Sequence, residues 1–274
     1  MLRAGYFQFR PLFGKVRRNL DRVVRALDGV DADLVVLPEL AFTGYHFRDR
    51  DELRALAEDP ARSPVLDALR ALCRARRLHL VAGFAERRRD RLFNSAALVG
   101  PRGIVHIYRK LHLFNDETTY FDRGDTDLAV QTVAGARIGM MVCFDWAFPE
   151  VARVLALKGA DILCQPSNLV LSYCQQTMLT RCLENRVFAI TTNRHGADQR
   201  PHGLIRFTGR SQITAPGGVL LHRGPAARDE LYLAAIDPGL ARDKAITPRN
   251  DLIADRRPAF YGTLTATRRK PRRK

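Results

Sequence analysis

The sequence predicts an α/β fold in which two β-sheets pack face to face with helices outside. Two observations carry this expectation. Short, largely apolar runs of strand length alternate with amphipathic helical patterns, which implies sheets covered by helices. Several strand-to-strand steps lack an intervening helix, which argues against a purely alternating, doubly wound layout. No linker or internal repeat interrupts the chain. Residues 1–262 therefore read as one domain, followed by a basic tail at 263–274 that is expected to be disordered.

The elements follow in order. Ala4–Phe9 reads as a strand, and Gly14–Leu27 places apolar residues at helical spacing with arginines between them. Leu34–Leu37 is a short buried strand that runs into Pro38-Glu39. Ser63 and Pro64 give an N-cap and a first helical residue, and the helix they open carries Leu66, Leu69, Ala71 and Leu72. Leu78–Phe84, Leu92–Val99, Ile104–Tyr108 and Leu128–Val133 are strand-like, with Gly100-Pro101-Arg102-Gly103 as a turn. Ile138–Val142 is a buried strand, and Val151–Leu157 has helical patterning. Asp161–Gln165 and Val187–Thr192 are further strands on either side of a helix at Cys174–Arg186. The stretch from Arg206 to Ile236 is rich in hairpin signals, with Ala215-Pro216-Gly217-Gly218 as its clearest turn.

Composition narrows the function classes. At 274 residues with 46% hydrophobic and 27% charged side chains, the chain can bury a sizeable core. No apolar run approaches the roughly 18 residues of a membrane span, and the first residues lack a signal-peptide pattern. Five cysteines without metal-ligand or CxxC spacing fit a reducing, cytoplasmic setting, and neither a metal nor another cofactor is expected. The net charge of +16 comes mostly from arginine and is spread along the chain, with one dense run at Arg268–Lys274. A solvated surface accounts for it. A basic nucleic-acid-binding protein is the distant alternative, and no recognisable nucleic-acid-binding motif supports it.

Chemistry concentrates at three places. Cys143 ends the apolar strand Ile138–Val142 and precedes Phe144-Asp145-Trp146-Ala147-Phe148-Pro149-Glu150, after which a helix begins. A strand that delivers a side chain to a tight turn before a helix has the layout of a nucleophile elbow. Glu39 directly follows Leu-Val-Val-Leu-Pro, at a strand's carboxyl end, where open α/β sheets place ligand sites. Taken alone it reads first as a surface or helix-start carboxylate. Lys110 lies in Tyr108-Arg109-Lys110-Leu111-His112-Leu113-Phe114, a segment too apolar for an ordinary exposed loop. Taken alone it also reads as a lysine snorkelling at a strand edge.

The ordered set LPEL, YRKLHLF and CFDWAFPE resembles the nitrilase, or carbon–nitrogen hydrolase, superfamily. The likeness extends from about Ala4 to Tyr261. It includes Thr43-Gly44-Tyr45, Tyr120-Phe121 with Gly124-Asp125, and Leu183–Gly196. The resemblance implies a four-layer α-β-β-α sandwich of two mixed sheets, and a homodimer or higher homo-oligomer. It also implies a Glu-Lys-Cys catalytic set. Cys143 would be the nucleophile, Glu39 the general base, and Lys110, with the Phe144 main-chain N–H, the oxyanion stabiliser. Glu117 would position the substrate or the lysine. The positive lysine should also favour the Cys143 thiolate.

Tyr45, Trp146 and Asn168 would line or border the substrate pocket. Trp146 reads equally as a packed aromatic, and Asn168 as a turn residue that satisfies the backbone. Arg181, Glu184 and Arg186 read as a structural ion-pair network on a helix, and Cys73, Cys164, Cys174 and Cys182 as buried, inert thiols. Cys-Phe-Asp-Trp in place of Cys-Trp-Glu, followed by Phe-Pro-Glu, is similar to hydrolases of small amides and N-carbamoyl amines. An aliphatic nitrilase is the alternative.

Overall fold

The computed structural model describes residues 1–266. From the N-terminus come β1 (Leu2–Gln8), α1 (Val16–Leu27), β2 (Leu34–Val36), α2 (Arg50–Leu56) and α3 (Pro64–Arg76). The strands β3 (His79–Arg88), β4 (Arg91–Gly100) and β5 (Gly103–Arg109) lead to the one-turn helix α4 (Glu117–Tyr120), then β6 (Val130–Val133) and β7 (Ala136–Met140). After a 3-10 turn at Cys143–Ala147 lie α5 (Pro149–Leu157), β8 (Ile162–Pro166), α6 (Tyr173–Asn185) and β9 (Phe188–Thr192). The hairpins β10 (His195–Arg200) with β11 (Gly203–Thr208), and β12 (Gln212–Ala215) with β13 (Val219–Arg223), precede β14 (Glu230–Ile236) and α7 (Gly239–Arg242).

Two six-stranded sheets form, in the orders β14-β1-β2-β3-β4-β5 and β13-β12-β9-β8-β7-β6. Each is mixed. The central trios β1-β2-β3 and β7-β8-β9 are parallel, and the flanking pairs are antiparallel. Period-two alternation assigns the faces of the first sheet. Ala4, Tyr6, Leu34, Val36, Val81, Ala96 and Leu98 share a core with Ile138, Met140, Ile162 and Ile190 of the second sheet. Their neighbours Phe7, Val35, Leu80, Ala82, Ala97 and Val99 pack instead under α1 and α3, through Leu20, Val23, Leu27, Leu66 and Leu69. On the far side of the second sheet, α5 and α6 supply Val151, Leu155, Cys174, Met178 and Cys182. The layers are thus α-β-β-α, as expected.

Local chemistry sets the helix ends. Ser63 Oγ accepts from the Leu66 N–H at 3.0 Å, and Pro64 occupies the first helical position of α3. The unanticipated α2 is capped by Asp49, whose side chain accepts from the Glu52 N–H at 2.9 Å. Only Leu53 of α2 is buried, so its sequence carries almost no apolar period. The polar β10 gives no strand signal either, and its extended form comes from pairing with β11. Within the expected hairpin region β14 is no hairpin partner. It crosses to the first sheet and pairs antiparallel with β1, Tyr6 opposite Tyr232.

Met1–Asp243 forms one packed unit. The remaining described residues, 244–266, belong to a second, small unit with the strand pair β15 (Ala245–Thr247) and β16 (Asn250–Asp251), followed by 3-10 turns at Pro258–Phe260 and Gly262–Thr265. The basic run Arg268–Lys274 lies outside the described residues. Among the described residues no helix is long and apolar enough to cross a membrane.

Candidate active site

Cys143 stands where the chain leaves β7 and turns. The Met141 N–H still donates to Cys164 O at 3.1 Å, parallel to β8, but Cys143 itself has φ +41° and opens the 3-10 turn. A non-glycine residue in the left-handed region stores strain, and surrounding bonds must hold it there. Asp145 does much of that. Its Oδ2 accepts from the Val142 N–H at 2.9 Å and the Tyr108 hydroxyl at 2.7 Å. Its Oδ1 accepts from the His112 N–H at 3.2 Å and lies 2.8 Å from His112 Nδ1. The His112 ring stacks on Phe148 with centroids 3.5 Å apart. From the other side Gln165 Nε2 donates to the Cys143 carbonyl at 3.0 Å.

Glu39 reaches the same place from the end of β2. The chain beyond β2 stays tied to β3, with Leu37 N donating to Val81 O at 2.8 Å and Ala41 N to Gly83 O at 2.9 Å. The contact requires a glycine at position 83. A Cβ there would sit 2.5 Å from both Glu39 Cα and Pro38 O. Gly83→Ala is therefore expected to cost about 1–3 kcal/mol through overpacking. By displacing Glu39 it should also lower kcat roughly 100-fold. Thermal melts and steady-state turnover of the variant check this, and wild-type turnover would contradict it.

Lys110 follows β5 and is anchored by its N–H donating to Asn94 O at 2.8 Å. Its ammonium lies between two carboxylates, 2.7 Å from Glu39 Oε1 and 2.8 Å from Glu117 Oε1. All three residues are 0–1% exposed. Asn94 Nδ2 donates a second bond to Glu39 Oε1 at 2.7 Å, whereas Glu39 Oε2 has no hydrogen-bond partner among the described residues. Glu117 Oε1 also accepts from the Tyr45 hydroxyl at 2.7 Å, and its Oε2 from the Phe114 N–H at 3.2 Å.

The proton balance follows from burial and these charges. Burial pulls the Lys110 ammonium down, but Glu117 and Glu39 together hold it well above the usual lysine value. Burial pushes Glu117 above the usual carboxylate range against Lys110, with Glu39 adding to the rise. For Cys143, burial and then Glu39 drive the thiol well above its ordinary value, and Lys110 with an Asn168 main-chain hydrogen bond only partly offsets them. Lys110 acts on the thiol in the expected direction, toward thiolate, but burial and Glu39 outweigh it. At rest the sulfur keeps its proton, because desolvation outweighs one nearby cation.

The sulfur faces a narrow cleft with Phe114, Phe144, Trp146, Asn168 and Leu169. Its free space of about 20 Å³ holds little more than one water. Phe144 and Trp146 meet edge to face with centroids 6.3 Å apart. Asn168 lines the cleft and also satisfies backbone, its Nδ2 donating to Glu39 O at 2.8 Å. Tyr45 lies beside the Glu39-Lys110-Glu117 cluster, its hydroxyl on Glu117, and also lines a second cavity of about 420 Å³. Phe114 and Val170 line both spaces.

Asn94, Tyr108, His112, Asp145 and Gln165 were not singled out from sequence. A polar Asn94 inside the apolar run Leu92–Val99 is a readable signal, whereas the reach of Gln165 becomes visible only in the fold. Arg181 pairs with Glu184 at 3.0 Å, while Arg186 pairs with Asp243 at 3.7 Å. It takes a left-handed φ of +43° as the cap residue after α6 and turns toward Asp243. The other four cysteines are buried and free, and burial raises each thiol, Cys73 to about 12.

Comparison with known proteins agrees with this geometry. The family model for carbon–nitrogen hydrolase matches residues 3–245. A nitrilase of Pyrococcus abyssi is 38% identical over 95% of this chain and 99% of its own length. An (R)-stereoselective amidase of a Pseudomonas species is 34% identical, covering 92% of this chain and 90% of that protein. Among solved structures, a carbon–nitrogen hydrolase from Helicobacter pylori superposes with a TM-score of 0.87 at 26% identity, covering 96% of this chain and 98% of that one. A match over nearly the whole packed unit, around a buried Glu-Lys-Glu cluster beside a strained cysteine, makes this chain an enzyme of the carbon–nitrogen hydrolase family.

Proposed function

We propose that the enzyme hydrolyses a small amide or N-carbamoyl amine through a thioester on Cys143. The observation that supports this most is the Lys110 ammonium held between Glu39 and Glu117 while Glu39 Oε2 stays unpartnered. In the first half-reaction Glu39 takes the thiol proton as the sulfur adds to the carbonyl carbon. Lys110 and the Phe144 main-chain N–H stabilise the oxyanion, and Glu117 and Tyr45 hold the lysine in place. The C–N bond breaks as Glu39 returns the proton to the departing nitrogen. In the second half-reaction Glu39 deprotonates a water that attacks the thioester. The sulfur leaves, and Glu39 restores its proton.

A resting thiol suits this sequence, because the proton is transferred only when a substrate is in place. Asn94 and Asn168 tie down the base, one through its carboxylate and one through its carbonyl.

The nearest competing reading is nitrile hydrolysis, in which the same groups add the sulfur to a nitrile and hydrolyse the resulting thioimidate. The 38% identical relative named a nitrilase favours it, and the 34% identical amidase favours the amide reading. Ammonia release from matched amides, N-carbamoyl amines and nitriles separates them. The amide or carbamoyl members are expected to turn over. Acid and ammonia from nitriles alone would overturn the substrate assignment.

A further inference from the structure

The cleft at Cys143 has room for the reacting group and little else, so substrate bulk must extend elsewhere. The 420 Å³ cavity shares Phe114 and Val170 with the cleft, so it is the neighbouring space on that side. That cavity opens to solvent and has a mixed lining, with Tyr120, Leu204 and Ile205 as apolar parts and two exposed, opposite charges, Asp116 and Arg206. Nearby charges are mutually committed. Arg200 pairs with Glu52, Arg194 with Asp198 at 2.7 Å, and Arg50 with Asp122 at 2.7 Å. Asp116 and Arg206 form no salt bridge among the described residues.

His46 adds an independent observation. It also lines the cavity and is 8% exposed; its ring hydrogen-bonds the Asp198 main chain, and its Nδ1 has no hydrogen-bond partner among the described residues. Burial, followed by the neighbouring His202, lowers its affinity for a proton. A neutral imidazole nitrogen that is buried without a partner is an acceptor waiting for a donor.

We propose that this cavity receives an α-amino-acid head at the end of the substrate remote from the scissile bond. Arg206 binds its carboxylate, and Asp116 with His46 binds its ammonium. The substrate class is then an ω-amide or ω-carbamoyl α-amino acid, with its aliphatic stem against Phe114 and Val170. This rests on the hydrolase reading above and narrows it. A guanidinium matches a carboxylate by a two-point fork, and hydrogen bonds to charged groups are the stronger ones. A head carrying both charges uses both side chains, whereas an amine or an acid alone leaves one of them unmatched.

The test uses the full chain and two substrate series, each trimmed one group at a time. The amide series is glutamine, glutaramic acid, 4-aminobutyramide and butyramide. The carbamoyl series is citrulline, 5-ureidopentanoic acid, N-carbamoylputrescine and butylurea. In at least one series the zwitterion is expected to exceed each trimmed analogue in kcat/KM by roughly tenfold or more. Arg206→Gln should collapse the zwitterion's ratio over the analogue lacking carboxylate. Asp116→Asn should collapse the ratio over the analogue lacking the amine. Arg206→Lys and Asp116→Glu should restore part of each preference. Turnover with no preference for the charged head, or ratios unmoved in both variants, overturns this proposal and leaves the hydrolase reading standing. The proposal also fails if turnover is confined to substrates outside both series. No ammonia from any amide, carbamoyl or nitrile substrate, with no adduct on Cys143, overturns the underlying reading as well.

Discussion

Cys143→Ala lowers ammonia release at least about 10⁴-fold on whichever substrate proves best, because the remaining groups act only on a bond the sulfur must first attack. The loss should fall on kcat, and intact-mass spectra should show an acyl or carbamoyl adduct on the wild type alone. Stability should change little. The left-handed φ of +41° suits alanine no worse than cysteine, and the substitution removes a buried thiol held well above its ordinary pKa rather than a large apolar group. Cys182→Ala is the matched control. That thiol lies on the buried face of α6, and its pKa is raised by burial alone, so its removal should cost packing and leave the chemistry intact. Turnover that survives in Cys143→Ala, or an adduct that persists on it, would remove the sulfur from the mechanism. Equal losses in the two variants would point to packing rather than nucleophilic attack.

The legible parts of this chain were those in which one residue type does one job. Ser63-Pro64 announces a helix because an N-cap oxygen and a proline without an N–H both suit a first turn. Glu39, Lys110 and Cys143 were marked differently. Glu39 and Lys110 each read singly as ordinary surface or strand-edge residues, and only the ordered set LPEL, YRKLHLF and CFDWAFPE, through its resemblance to carbon–nitrogen hydrolases, singled them out. What stayed hidden depends on partners distant in sequence. Pairing of β14 with β1 joins Glu230 to Gln8 across more than 200 positions, and periodicity within either strand cannot name its neighbour. Asp145 looks like one more turn carboxylate until Tyr108, Val142 and His112 are seen converging on it. At the sulfur the pull of the lysine toward thiolate was readable, whereas the larger, opposing effect of burial was not, because sequence does not show how completely water is excluded.

Lys110→Met should have the second-largest effect, and on two observables at once. Losing the ammonium removes an oxyanion donor, worth roughly 10²–10³ in kcat for one such group. It also leaves the Glu39 and Glu117 carboxylates buried together with no cation between them. Breaking a buried ion pair from one side typically costs about 3–5 kcal/mol. The pH dependence carries a definite sign. In the wild type the folded-state pKa of Lys110 is raised, so its stabilisation is complete below the unfolded lysine value near 10.4 and fades only as pH rises through the higher folded value. In the variant that contribution is gone at every pH. Glu117, already raised by burial, should rise further without its lysine. A carboxylate whose folded pKa exceeds its unfolded value near 4.3 binds more protons when native, so stability falls as pH climbs between the two. The gap in Tm between wild type and Lys110→Met should therefore widen from pH 5 to pH 8. Adding Glu117→Gln removes one of the two stranded charges and should narrow the gap at pH 8 without restoring turnover. A gap that does not change with pH, or one that the second substitution leaves in place, would mean that the lysine's role at this site is not to hold the buried Glu117 carboxylate in its charged form.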